Sequence, residues 1–284
     1  MTKINDLLIY GKKYIVSPQV EALLCNLLNI NSFELLNSKD REVPNLIVNK
    51  FKNGIDNIYK TKKLSTVIKH INFCDLIFKI NDDVLLPHFE TQEVVMETMK
   101  YINVLFNGKG NLIDLGCGSG VIGLTIKSNF KNLNVELIDI SDYALDITRE
   151  NAKQLHLDVE IYKSNMLSNV KGKYDVIISN PPYESDKYIP ILNNEPTISL
   201  YAKNDGLYYY EEILKNIHNV INDKFLIIFE IGDYQKNAVV SLINKYLKNT
   251  TIKSLESKKG FEKSLYIFGG FSNEELINNN IIWE

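Results

Sequence analysis

Between residues 111 and 247, short apolar runs alternate with longer amphipathic stretches, and this rhythm restricts the possible folds more than any other feature of the chain. The apolar runs fall near 111–115, 134–139, 159–162, 174–179 and 224–230. Stretches with helical spacing lie between them near 120–130, 142–155 and 205–219, and another follows near 234–247. Strands that are apolar throughout need cover on both faces, and helical crossovers supply it. The pattern predicts an α/β domain built on a doubly wound, mostly parallel sheet. Two further strand-like runs, near 251–255 and 264–268, are joined too closely for a helical crossover, so an antiparallel hairpin at the sheet edge is expected.

The first 70 or so residues read differently, as short helices. Ser17-Pro18 predicts a helix start, with Ser17 as N-cap and Pro18 at the first helical position, followed by an apolar face of Val20, Leu23, Leu24, Leu27 and Leu28. Pro44 opens a second helix with Leu46, Ile47, Phe51, Ile55 and Ile58 on one side. A strand–turn–strand pattern then runs through Leu76–Ile80, Asn81-Asp82-Asp83 and Val84–Leu86, and Pro87 ends it. The expected division is a helical substrate-recognition module over 1–72, a β-hairpin linker over 73–86, a main domain over 87–271 and a polar tail over 272–284.

Composition excludes several classes. The net charge of −3 and pI near 5.9 give no overall basic field, which argues against direct binding of nucleic acid by bulk electrostatics. Cys25, Cys74 and Cys117 are widely spaced and form no CxxC pair, so no metal site is expected and a reducing compartment is. No stretch approaches the length of a membrane span, and the first residues lack a signal-peptide core, so the cytoplasm is the expected location. A monomer is expected.

Two strings carry chemistry. Leu112-Ile113-Asp114-Leu115-Gly116-Cys117-Gly118-Ser119-Gly120 is a strand running into a glycine-rich turn before a helix, where the backbone can pass close to a ligand. Asp139 ends the next strand and can accept hydrogen bonds from a ribose diol. Together these point to a nucleoside-type cofactor. A dinucleotide is the rival guest, although the spacing departs from G-x-G-x-x-G and Gly123 blurs the difference. The second string is Asn180-Pro181-Pro182-Tyr183, directly after the apolar run 174–179. Two prolines cannot continue a strand, so the chain must leave the sheet in a rigid extended turn. That turn offers a side-chain amide, carbonyls and an aromatic ring, a set able to grip a planar group bearing an NH2.

Asp114 with Gly116, Gly118 and Gly120 resembles the first motif of the class I S-adenosylmethionine-dependent methyltransferases, and Asp139 resembles their ribose-binding acid. The Asn-Pro-Pro-Tyr turn resembles the signature of members that methylate planar NH2 groups. Leu85-Leu86-Pro87-His88-Phe89-Glu90-Thr91 is similar to the L-I-P-R-P-E-T string of the release factor glutamine methyltransferases. Glu195-Pro196, Asp205-Gly206-Leu207 and Glu230-Ile231-Gly232 with Gln235 resemble further segments of that family, as do a helical front domain and a hairpin. The resemblance implies transfer of a methyl group to N5 of a glutamine in the Gly-Gly-Gln loop of a peptide chain release factor, with S-adenosylhomocysteine as the other product. It implies that Asn180 Oδ1 and the Pro181 carbonyl accept the two N–H bonds of the substrate amide. Tyr183 would pack on the amide's face, and Pro182 and Glu90 would complete the substrate side. Asp114, Gly116, Cys117, Gly118, Ser119, Gly120, Asp139, Asn165, Met166 and Asn180 would border the cofactor.

The chain departs from the family's pattern in places. His88 and Phe89 replace Arg and Pro, Asn165 stands where an acid is usual, and Lys263 replaces an Arg. Asn165 can still accept a hydrogen bond from an adenine amino group, with Met166 lining the pocket. Other substrates for the same chemistry are a ribosomal-protein glutamine and the adenine amino group of DNA or RNA. The acidic pI and the lack of a basic, aromatic recognition module count against the nucleic acid.

Overall fold

The computed structural model describes residues 2–185, 201–256 and 260–282; Glu195-Pro196, the pair Lys258-Lys259 and Trp283 lie outside them. The chain opens with four helices, α1 (Ile4–Gly11), α2 (Ser17–Leu28), α3 (Ser32–Asn37) and α4 (Asn45–Thr61), and a hairpin of β1 (His70–Phe73) and β2 (Leu76–Lys79). Then come α5 (Phe89–Phe106), β3 (Gly110–Leu115), α6 (Val121–Asn129), β4 (Leu133–Asp139), α7 (Asp142–Gln154), β5 (Glu160–Lys163) and β6 (Tyr174–Ser179). A short β7 (Glu184–Ser185) pairs with β8 (Tyr201–Ala202). The chain continues through α8 (Tyr208–Asn216), β9 (Ile221–Glu230), α9 (Lys236–Tyr246), β10 (Thr250–Glu256), β11 (Glu262–Gly269) and α10 (Asn273–Asn278).

The large sheet has seven strands in the order β10-β11-β9-β6-β3-β4-β5. Strands β5, β4, β3, β6 and β9 run parallel, and β11 pairs antiparallel with both β9 and β10. This is the doubly wound α/β architecture that the alternation predicts, with the antiparallel hairpin at its edge. Strand periodicity explains the two-sided cover. Leu112, Val176, Ile178, Leu226 and Ile228 pack with α5, α6 and α7. Their neighbours Ile113, Leu115, Ile177, Ile227 and Phe229 pack with α8 and α9 on the opposite face. The start of the polar tail is docked: Ser272 caps α10, and Leu276 and Ile281 are buried in the first of these cores.

The front helices bury a separate core of Leu7, Val20, Leu23, Phe51, Ile55 and their neighbours. Two details differ from the sequence expectation. Ser17 is not the N-cap of α2; Val16 is, and the Ser17 hydroxyl instead donates to Glu21 at 2.8 Å. Leu46 is 66% exposed, because the inner face of α4 is set by Val48, Phe51, Gly54, Ile55 and Ile58.

The hairpin also forms earlier in the chain than the sequence suggests. Its turn is Cys74-Asp75, with φ of 48° and 62°, a left-handed pair that closes a two-residue hairpin without the usual Asn-Gly signal. Residues 84–86 are not a strand. Asp82, expected in the hairpin turn, accepts a hydrogen bond from the Ser65 amide at 3.1 Å. Val84 packs on Ala144 and Ile147 of α7, while Leu86 enters the front core, so this segment crosses between the two units.

Asn151 of α7 ties the hairpin to the large domain. It is fully buried. Its Oδ1 accepts from the Lys79 amide at 2.7 Å, and its Nδ2 donates to the carbonyls of Lys79 at 3.0 Å and Ser119 at 2.9 Å. At about 1 kcal/mol for each hydrogen bond, Asn151→Leu is expected to lower the unfolding free energy by about 3 kcal/mol in a denaturant titration. Unchanged stability would show that these contacts carry no net energy.

Candidate active site

The strand order reverses direction between β3 and β6, since β4 and β5 lie on one side and β9 on the other. In open parallel sheets such a switch point leaves a crevice at the carboxyl ends of the strands. Here the crevice is bordered by Gly116, Cys117, Gly118 and Ser119 after β3, by Asp139, Ile140 and Ser141 at and after the end of β4, and by Ser164, Asn165 and Met166 after β5. Asn180 and Pro182 after β6, Thr91 of α5 and the crossing segment 83–87 also border it.

The glycine loop is held open by its surroundings. Gly116 and Gly118 adopt φ of +72° and +57°, and a Cβ on either would meet none of the described residues within 4 Å, so the loop leaves room beside it among them. From α7 the Thr148 hydroxyl donates to the Gly118 carbonyl at 2.8 Å, beside the Asn151 contact to Ser119. Asp139 accepts from the Gly118 amide through Oδ2 and from the Ser141 amide through Oδ1, both at 2.9 Å. Each oxygen keeps further acceptor capacity for a diol. Burial pushes the Asp139 carboxyl up, against these amides.

Asp114 sits elsewhere. It does not border the crevice. It is fully buried, and its Oδ2 accepts from the Gly123 amide at 2.9 Å, which holds α6 against the end of β3. Among the described residues its Oδ1 has no hydrogen-bond partner. Burial pushes this carboxyl up to about 7, opposed by the Gly123 amide and assisted by the nearby charge of Asp139. Cys117 borders the crevice, but burial raises its thiol well above the usual range, so it is an unreactive wall.

The Asn-Pro-Pro-Tyr turn divides its residues between two tasks. Asn180 and Pro182 face the crevice, whereas Pro181 and Tyr183 are not part of its wall. The Tyr183 ring packs against the core beneath α8 and α9, and burial raises its phenol well above the ordinary value. The Tyr183 carbonyl accepts from Gln235 Nε2 at 2.9 Å, and the same nitrogen donates to Asp205 O at 3.2 Å. Glu90, in the first turn of α5, also stays off the wall, although its charge acts on Tyr183 and Glu230. His88 is the N-cap of α5 and does not border the crevice.

Several residues were not marked as site residues by sequence reasoning. Ile140 is 47% exposed beside Asp139, an apolar residue kept at the surface where it borders the crevice. Tyr209 joins the wall while its neighbour Tyr210 is fully buried. Glu230 is buried at the end of β9, where its Oε2 accepts from the Thr91 hydroxyl at 2.9 Å. The available signal was an acid closing the apolar run Phe225–Phe229, much as Asp139 closes Leu137-Ile138. Among the described residues, no cluster of His, Cys, Asp and Glu could hold a metal ion, and no helix is long and apolar enough to cross a membrane.

Comparison with known proteins agrees with this geometry. The family profile of the methyltransferase small domain matches residues 83–193. A solved methyltransferase from Pyrococcus furiosus shares the fold, with a TM-score of 0.54 at 19% identity, over 68% of this chain and 89% of that one. The chain is 32% identical to the release factor glutamine methyltransferase of Streptococcus pneumoniae over 77% of its own length and 81% of that protein. It is also 32% identical to the protein of the same description from Clostridium botulinum, over 86% and 91%. With glycine loop, ribose-type acid and Asn-Pro-Pro-Tyr turn at the strand ends where this architecture puts its crevice, the chain belongs to the release factor glutamine methyltransferase family.

Proposed function

We propose that this protein transfers a methyl group from S-adenosylmethionine to the side-chain nitrogen of a glutamine in a peptide chain release factor. The observation that carries the reading is the position of Asn180, on the wall of the same crevice as Asp139 and the glycine loop. The residues fit the cofactor. The loop at 116–119 leaves open space for it, Asp139 retains acceptor capacity for ribose, Asn165 offers an uncharged acceptor for an amino group, and Ile140 and Met166 supply apolar surface for a planar base. When bound, S-adenosylmethionine supplies an electrophilic methyl group on a sulfonium.

The chain's own residues address the other half of the problem. An amide nitrogen is a poor nucleophile, because its lone pair is shared with its carbonyl. Asn180 Oδ1 and the carbonyl of Pro181, which is not itself part of the crevice wall, each accept one N–H in this reading, which holds that nitrogen and raises its electron density. Orientation then supplies most of the acceleration, with no strong base needed before transfer. The rigid diproline turn and its Gln235 anchor keep the acceptors in place. Residues 1–72 act as the module that recognises the protein partner, with 73–86 linking it to a methyltransferase domain over 87–271 that ends in the tail 272–284. The reading places a monomer in the cytoplasm with no direct contact to nucleic acid.

The decisive assay incubates the protein with methyl-labelled S-adenosylmethionine and, separately, release factor, ribosomal protein and unmethylated DNA. Label on the glutamine of the Gly-Gly-Gln loop is expected. Label confined to DNA or to the ribosomal protein would overturn the reading.

A further inference from the structure

Glu230 closes β9 inside the protein, 4% exposed, where a carboxylate is costly unless its oxygens are satisfied. The strand register explains whom it meets. Ser179 pairs with Phe229, which sets Asn180 and Glu230 side by side at the ends of β6 and β9. Thr91 donates to Glu230 Oε2 at 2.9 Å from α5. The register sets the Asn180 side chain beside the same carboxyl, where it favours the charged form. An ionised carboxylate only accepts hydrogen bonds, so the NH2 end of the Asn180 amide must turn towards it, and Oδ1 is left for another partner. A reacting NH2 group needs that oxygen; the opposite rotamer would meet it with a second donor.

We propose that Glu230, held by Thr91, is a positioning residue that sets the Asn180 amide so that Oδ1 faces the substrate nitrogen. The inference rests on the reading of Asn180 as the amide-gripping group. It also has a pH consequence. A protonated Glu230 would offer an O–H to Asn180 Oδ1 and turn the amide round. Burial pushes the Glu230 carboxyl up to about 7, opposed by Thr91, Lys263 and Asn180 and assisted by Glu90. Among the described residues, three tyrosines also face it: Tyr183, Tyr210 of α8, whose hydroxyl donates to the Glu230 carbonyl at 2.7 Å, and Tyr266 of β11. Burial raises all three phenols, so they stay neutral over this range. Lys263 is itself paired with Asp233. Transfer therefore rises with pH as Glu230 ionises, through about 7.

The test follows the Asn180 side-chain amide by NMR in protein labelled with 15N-asparagine, assigned by its absence in Asn180→Ala. In the wild type its signals shift with a midpoint near 7; in Glu230→Gln they do not titrate. Asp114 ionises in the same range, and the Glu230→Gln variant separates the two. In steady-state transfer, Glu230→Gln lowers kcat about a hundredfold, with KM and cofactor affinity within about twofold, and the rising limb of the pH profile disappears. Thr91→Val, which removes a donor to the carboxylate, moves both midpoints upward. Asn180 signals that ignore pH in the wild type, or a Glu230→Gln enzyme with full kcat and an intact rising limb, would overturn the proposal. Because the spectra need no substrate, titrating Asn180 signals without methylation of release factor would sink the assigned function and leave the positioning role standing.

Discussion

Asn180→Ala is expected to slow methyl transfer by about a hundred- to a thousandfold, the size of effect seen when one preorganised polar group is removed from a reacting centre. The loss follows from what the amide does. In the proposed reading its Oδ1 is one of two acceptors for the substrate N–H bonds, and without it the nitrogen would be neither oriented nor enriched in electron density. The fold has little reason to respond. Asn180 is half-buried at the end of β6, and the diproline turn after it is anchored through Tyr183 and Gln235. Cofactor affinity should fall by no more than about threefold, because Asp139, the glycine loop and the residues after β5 remain. Single-turnover transfer from a labelled donor, with calorimetric titration of the cofactor, separates the two quantities. Full single-turnover activity would remove Asn180 from the chemistry, and a loss confined to cofactor binding would make it a cofactor residue only.

Gly206→Ala is expected to damage the same turn from the opposite side, through stability. Gly206 has φ of +85°, and a Cβ there would lie 1.9 Å from the Tyr183 carbonyl oxygen and 2.4 Å from Gln235 Nε2. A left-handed backbone costs an alanine about 1–2 kcal/mol. Forcing a methyl group into a packed site adds about 1–3 kcal/mol. The atom in the way is main chain, so no side-chain rotation relieves it, and the Tyr183–Gln235 hydrogen bond must break or shift. Chemical denaturation should show a loss of about 2–5 kcal/mol, with transfer impaired even at temperatures where the variant is folded. A stable, fully active Gly206→Ala protein would show that the turn does not depend on this close approach.

The fold and the site were legible to different degrees. The parallel sheet was readable because its apolar runs, among them 174–179, are long enough to demand cover on both faces. The strand ends were readable where a residue broke the local rule, as with the glycines at 116–120, Asp139 after an apolar run, and two prolines after another. The hairpin was misplaced because its turn uses Cys74 and Asp75 in a left-handed conformation that neither residue type advertises. Leu46 was misassigned because an apolar residue on the outer face of a helix looks the same in sequence as one on the inner face. Asp114 looked like a crevice residue by its place in the glycine string. Strand alternation instead turns its side chain under α6, to Gly123.

Local patterns in this chain settle what each segment is, because propensity, periodicity and turn chemistry act between residues a few positions apart. They therefore define the strands of the large sheet, most helices, the glycine loop and the Asn-Pro-Pro-Tyr turn. Pairings across long separations lie beyond them. Thr91 meets Glu230 across 139 residues, Asn151 meets Lys79 across 72, and Gln235 meets Tyr183 across 52. Each contact exists only because α5 packs against β9, because β9 lies beside β6, or because α7 packs against β2, and those neighbours are chosen by how the whole sheet and its helices bury apolar surface. The glycine loop, Asp139 and Asn180 could be named from the chain as candidates, whereas the residues that complete the wall and those that hold it in place are a property of the packed sheet.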